Sequence, residues 1–137
     1  NDQLREKFYG WLGANEFNDP PIFSTIATMA ALKEGEEWRR QMLEYVQGNI
    51  DFLIEYCATN IPQIKPLRPQ ASFLVWLREL GLSHEELVDL FVNKARLALN
   101  DGEMFSPGGE GHMRFNVGAP RSVVKEAIER VKEAIGK

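Results

Sequence analysis

Apolar positions change their spacing several times along the chain, and each change marks a predicted element. Leu4, Phe8, Trp11 and Leu12 follow helical spacing, which predicts a helix over Asn1–Leu12. Gly13–Pro21 is rich in Asn and Pro, and Pro20–Pro21 excludes helix, so this stretch reads as a linker. A second helix is expected over Phe23–Leu32, apolar nearly all round and closed by Gly35. From Glu36 to Asn60 the residues Trp38, Met42, Tyr45, Val46, Leu53 and Cys57 share one face. Arg39, Arg40, Glu44, Gln47, Asp51 and Glu55 occupy the other. At 1.5 Å per residue such a helix spans roughly 37 Å, a length suited to bridging two domains.

The period then shortens. Ile61–Pro69 holds three prolines and has room only for a short edge strand. Ala71–Leu77 is nearly all apolar, which predicts a strand buried on both faces. Ser83 opens a helix: Glu86 completes a capping box, and Leu82 and Leu87 are placed as a hydrophobic staple. A short strand at Leu97–Leu99 leads into a glycine-rich loop. His112–Val117 alternates, with Met113, Phe115 and Val117 on one face and His112, Arg114 and Asn116 on the other. The last helix, Arg121–Ile135, carries Val124, Ala127, Ile128, Val131 and Ile135 on one stripe, with Glu126 and Arg130 at pairing distance. The expected fold class is α/β, an α+β small domain with helices packed on a short mixed sheet.

Composition removes several functions. A net charge of −4 over 137 residues argues against a nucleic-acid or anionic-membrane surface. Arg39–Arg40 sits among Glu36, Glu37 and Glu44 and reads as a solvated helix face. Cys57 is the only cysteine, so no intrachain disulfide forms and a buried apolar role is expected. No apolar run approaches the ~20 residues needed to span a bilayer, and a cytoplasmic location is expected. The chain opens without Met and reads as cut from something longer.

Candidate chemistry centres on Asn100–Arg121. Arg114 stands between two apolar residues just after the glycine-rich loop, and a cation there requires an anion. The histidines, His84 and His112, are far apart and no Cys/His spacing suits a metal. The His84, Glu85, Glu86 cluster is explained by helix capping. The run GGEG leads into a strand, so it matches neither a dinucleotide nor a P-loop fingerprint, and no G-x-S-x-G elbow is present.

The string ALNDGEMFSPGGEGHMRFNVGAPRSVVKEAIERV resembles the carboxy-terminal signature of fold-type I pyridoxal-phosphate enzymes, the class I/II aminotransferases, and is most similar to their C–S lyase (cystathionine β-lyase) branch. WRRQMLEYVQGN resembles that branch's interdomain helix, PIFSTIATMAAL the segment before it, and LREKF the stretch past the cofactor-lysine region. The resemblance implies an aminotransferase-like C-terminal domain with a long interdomain helix. Residues 1–35 would be the end of the large cofactor-binding domain, and 36–137 the interdomain helix and small domain. Arg114, in MRFN, matches the arginine that holds the substrate α-carboxylate, and Phe105, in NDGEMF, would lie near the substrate pocket. Ser24 falls in a segment that in the family runs near the dimer interface.

The resemblance further implies pyridoxal 5′-phosphate as cofactor, an amino-acid substrate, a missing N-terminal part and a homodimer. It assigns no cofactor-binding or catalytic residue here. None of the lysines, Lys7, Lys33, Lys65, Lys94, Lys125, Lys132 and Lys137, has the Ser-x-x-Lys context of the Schiff-base lysine. The chain is therefore expected to be inactive by itself. Two departures from the branch are visible: Trp76–Ser83 is about two residues short, and Ala119 stands where Cys is common. The alternative is an independent, non-catalytic binding domain of the same fold that uses Arg114 for another anion or as a structural ion pair.

Overall fold

The computed structural model describes every residue except Asn18, Glu79, Leu80, Ser106 and Lys137. Glu79 and Leu80, within the Trp76–Ser83 stretch expected to be about two residues short, thus lie outside the described residues. Two compact units emerge, Asn1–Gln41 and Met42–Lys137.

The first unit holds α1 (Asp2–Ala14) and α2 (Ile22–Glu34). Helix α1 is capped by Asn1, whose side chain accepts the Leu4 N–H, and α2 starts at Pro21, a residue with φ preset for a helix entry. Neither helix buries a residue; Ile22, Phe23, Ile26, Met29 and Leu32 are all at least half exposed.

Helix α3 covers Glu36–Asn60, as its periodicity predicts. Its expected apolar face is only partly covered. Val46, Ile50, Leu53 and Cys57 are buried and Met42 is half-buried, but Trp38 and Tyr45 are exposed. Arg39 and Arg40 pair with Glu36 and Glu37 on the solvated side.

The second unit packs α3, a five-residue helix α4 (His84–Val88) and α5 (Arg121–Ile135) against four strands: β1 (Lys65–Leu67), β2 (Leu74–Arg78), β3 (Asn100–Asp101) and β4 (Met113–Asn116). The sheet order is β1-β2-β4-β3. Every pairing is antiparallel, which corrects the expected mixed sheet. The proline-rich β1 takes an edge, where a missing N–H costs no ladder bond.

Two further expectations are corrected. The strand foreseen at Leu97–Leu99 lies instead at Asn100–Asp101. The Leu97 N–H turns back to the Phe91 carbonyl at 2.8 Å to close the wide π-type turns over Asp89–Lys94, so the chain reaches β4 only three residues later. The stretch Ala71–Leu77 is not buried on both faces. Val75 and Leu77 are in the core, while Leu74, Trp76 and Arg78 lie half-buried on the opposite face.

The core joins Leu53 and Cys57 of α3, Phe91, Val75 of β2, Phe115 of β4, and Val124, Ile128 and Val131 of α5. Each large side chain buried there contributes about 1.5–3 kcal/mol. The Ser83 capping box forms as expected: Ser83 Oγ accepts the Glu86 N–H and a Glu86 carboxylate oxygen accepts the Ser83 N–H. That bond holds the Glu86 carboxyl below its ordinary pKa. Among the described residues no helix is long and apolar enough to cross a membrane.

One buried polar residue ties the layers together. Asn49 of α3 is fully buried; its amide N–H groups donate to the carbonyls of Val117 and Ala119, both at 2.8 Å, and its oxygen accepts Arg121 Nε–H at 2.6 Å. The Arg121 N–H donates to the Tyr45 hydroxyl at 2.7 Å. A tertiary contact thus satisfies the start of α5, where Pro120 offers no capping side chain.

Candidate functional site

Residues directly opposed in neighbouring strands point to the same face of a sheet. The register therefore lines up Leu67, Trp76, Arg114 and Asn100 as one row across all four strands, on the face opposite the core. Met113 and Phe115, on either side of Arg114, are buried. The alternation read in the sequence is borne out, and it leaves Arg114 half-buried among polar and aromatic neighbours.

Arg114 Nη2–H donates to Asn100 Oδ1 at 2.8 Å, and its Cζ lies 4.2 Å from the centroid of the Phe105 ring. Trp76 meets that ring edge-on, with centroids 5.5 Å apart and planes at 85°. The arginine is positioned, but its charge is not neutralised: both partners are uncharged, and no carboxylate pairs with it among the described residues. Among the described residues its Nε is buried without a hydrogen-bond partner. A buried unsatisfied donor on a permanent cation favours an arriving anion that can satisfy it.

The loop that delivers Phe105 depends on two glycines packed backbone to backbone. A Cβ on Gly102 would lie 2.0 Å from the Gly109 carbonyl oxygen, and one on Gly109 would lie 2.1 Å from the Gly102 oxygen. The Gly102 N–H donates to the His112 carbonyl at 3.0 Å, and the Phe105 N–H to the Gly102 carbonyl at 3.1 Å. This close approach folds the loop over the sheet and sets Phe105 on Arg114. Next to the pair is a cleft of about 300 Å³, lined by Leu67, Trp76, Phe105, Gly109 and His112 among others.

Arg114 and Phe105, the two site residues named from sequence, thus come together. Trp76, Asn100 and His112 complete their surroundings; alternation within Leu74–Arg78 would have placed Trp76 on this face. Ser24 lies in the first turn of α2 in the other unit, its hydroxyl donating to the Pro21 carbonyl at 2.7 Å. Among the described residues no lysine lines the cleft and no His/Cys/Asp/Glu group is able to hold a metal. Cys57 is inert by position: burial pushes its thiol up to about 12.

No family model matches the chain. The cystathionine beta-lyase PatB of Bacillus subtilis is 32% identical over 133 residues, covering 96% of this chain and 34% of the relative. Among solved structures, a pyridoxal-phosphate-bound protein of Clostridium difficile 630 that carries an aminotransferase name superposes with a TM-score of 0.91 at 37% identity, covering 98% of this chain and 35% of that one. Cystalysin of Treponema denticola, which contains a pyridoxal 5′-phosphate cofactor, superposes with a TM-score of 0.90 at 25% identity, covering 99% and 35%. The chain spans about a third of the length of the relatives it matches, in their C-terminal part.

Proposed function

For a chain that matches, in sequence and fold, the C-terminal part of pyridoxal-phosphate-dependent aminotransferases and C–S lyases, we propose that its contribution to the full-length enzyme is recognition of an amino-acid α-carboxylate by Arg114. The observation that carries this reading is the half-buried guanidinium, which among the described residues has an uncompensated charge and an unpaired Nε–H. A carboxylate offers two coplanar oxygens, which match a guanidinium fork.

Pyridoxal phosphate is the cofactor of the full-length enzyme, and when bound it supplies the electron sink for bonds broken at the substrate Cα. Arg114, which packs on the Phe105 ring at the cleft, fits the substrate's carboxylate end. With no lysine at the cleft among the described residues, none fits the cofactor's aldehyde. Arg114 would bind and orient the carboxylate. Asn100 anchors the guanidinium through one hydrogen bond, and the Phe105 ring packs 4.2 Å from its Cζ. Lacking a Schiff-base lysine, the chain by itself does not turn over amino acids. This is tested by adding pyridoxal phosphate and an amino acid, and any turnover contradicts it.

In the full-length enzyme, Arg114→Ala removes one partner of a paired charge and costs ~2–4 kcal/mol in transition-state binding. A fall in kcat/KM of less than threefold would overturn the carboxylate role. The apolar α2, exposed on all sides within its unit, supports association with a further protein surface, and a homodimer is the reading we adopt. Sedimentation as a strict monomer at all concentrations contradicts it.

A further inference from the structure

The segment Asn100–Phe105 touches Arg114 at both ends, through the Asn100 amide and the Phe105 ring. Its middle is held from elsewhere. His84, the first residue of α4, places Nδ1 3.3 Å from Asp101 Oδ2 and 3.3 Å from Glu103 Oε1. Asp101 uses its other oxygen, Oδ1, to accept the Glu103 N–H at 3.0 Å, closing the short 3-10 turn Gly102–Met104 that leads into Phe105.

Two carboxylates converging on one ring nitrogen is an unusual arrangement for helix capping. Ser83 and Glu86 complete the cap between themselves and leave His84 free to reach across. Both carboxylate oxygens lie within ion-pairing distance of Nδ1, and a ring with a proton on both nitrogens attracts both and offsets the mutual repulsion of Asp101 and Glu103.

We propose that His84 is a positioning residue: by clamping Asp101 and Glu103 it fixes the Asn100–Phe105 segment and so sets Phe105 and Asn100 on Arg114. Its functional meaning rests on the reading of Arg114 as the carboxylate residue, but its geometry does not. All three groups of the clamp are partly exposed, so it adds little to global stability. Its effect is on placement.

The Arg114 Nε–H resonance in the 137-residue chain reads that placement directly, because the Phe105 ring stacked 4.2 Å from Cζ shifts it by its ring current. Phe105→Ala defines the unstacked position. His84→Ala is expected to move the resonance towards that position with the thermal midpoint almost unchanged, and His84→Arg, which places a cation between the two carboxylates, to move it back. Ser83→Ala serves as the control, since it weakens the same helix cap without touching the clamp. The proposal is overturned if His84→Ala leaves the resonance in place, if Ser83→Ala shifts it as far, or if His84→Arg fails to restore it. None of these outcomes depends on which anion Arg114 binds, so a failed Arg114→Ala activity test and a failed clamp are distinguishable.

Discussion

Replacing Asn49 by Ala should be among the most damaging single changes in the second unit, although Asn49 is remote from the cleft. The side chain is fully buried and makes three hydrogen bonds, two to backbone carbonyls and one from the Arg121 guanidinium. Truncation leaves the carbonyls of Val117 and Ala119 and the Arg121 Nε–H without those partners. Each unsatisfied neutral group costs about 1 kcal/mol or somewhat more, and a charged donor about 1.5–3 kcal/mol. Arg121 is only half-buried, so water can recover part of its share. The sum is ~3–4 kcal/mol, a large fraction of the ~5–15 kcal/mol that holds a domain together. Urea unfolding followed by far-UV circular dichroism measures it; the midpoint should fall with little change in slope. A double-mutant cycle with Arg121→Ala should return a coupling of ~1 kcal/mol for the one bond the pair shares. If Asn49→Ala costs less than ~1 kcal/mol, the claim that this residue ties α3 to the β4–α5 connection is wrong.

Gly102→Ala drives a Cβ to 2.0 Å from the Gly109 carbonyl, where only backbone could yield. It should lower stability by ~1–3 kcal/mol or more, as overpacking does, whereas Gly136→Ala, with nothing nearer than 3.6 Å, should be neutral in the same thermal melt. Cys57 is fully buried and its thiol is pushed up to about 12, so a disulfide reagent should label it only on unfolding. Rapid labelling of the native chain would contradict the packing described.

What could be read in advance follows from the range of the interaction that decides it. The Ser83–Glu86 capping box spans three residues, and the burial of Met113, Phe115 and Val117 follows from a period of two; both are local and both were legible. The boundaries of α3 and α5 were legible for the same reason. The position of β3 was not, because a strand begins where its partner is, and Leu97 is held instead by Phe91. Nor could the apolar run before Arg78 reveal that one of its faces is only half-buried, since an apolar residue suits a covered face without showing what covers it.

The sequence therefore determined the helices α3 and α5, the inward face of β4 and the presence of a cation that needs an anion. Tertiary structure decided what surrounds that cation. Asn49 reaches carbonyls 68 and 70 residues away, Gly102 and Gly109 fit only because their backbones meet, and His84 finds Asp101 across the domain. Contacts of that reach leave no periodic trace in the chain, because each depends on where two separate segments are brought by the packing of everything between them.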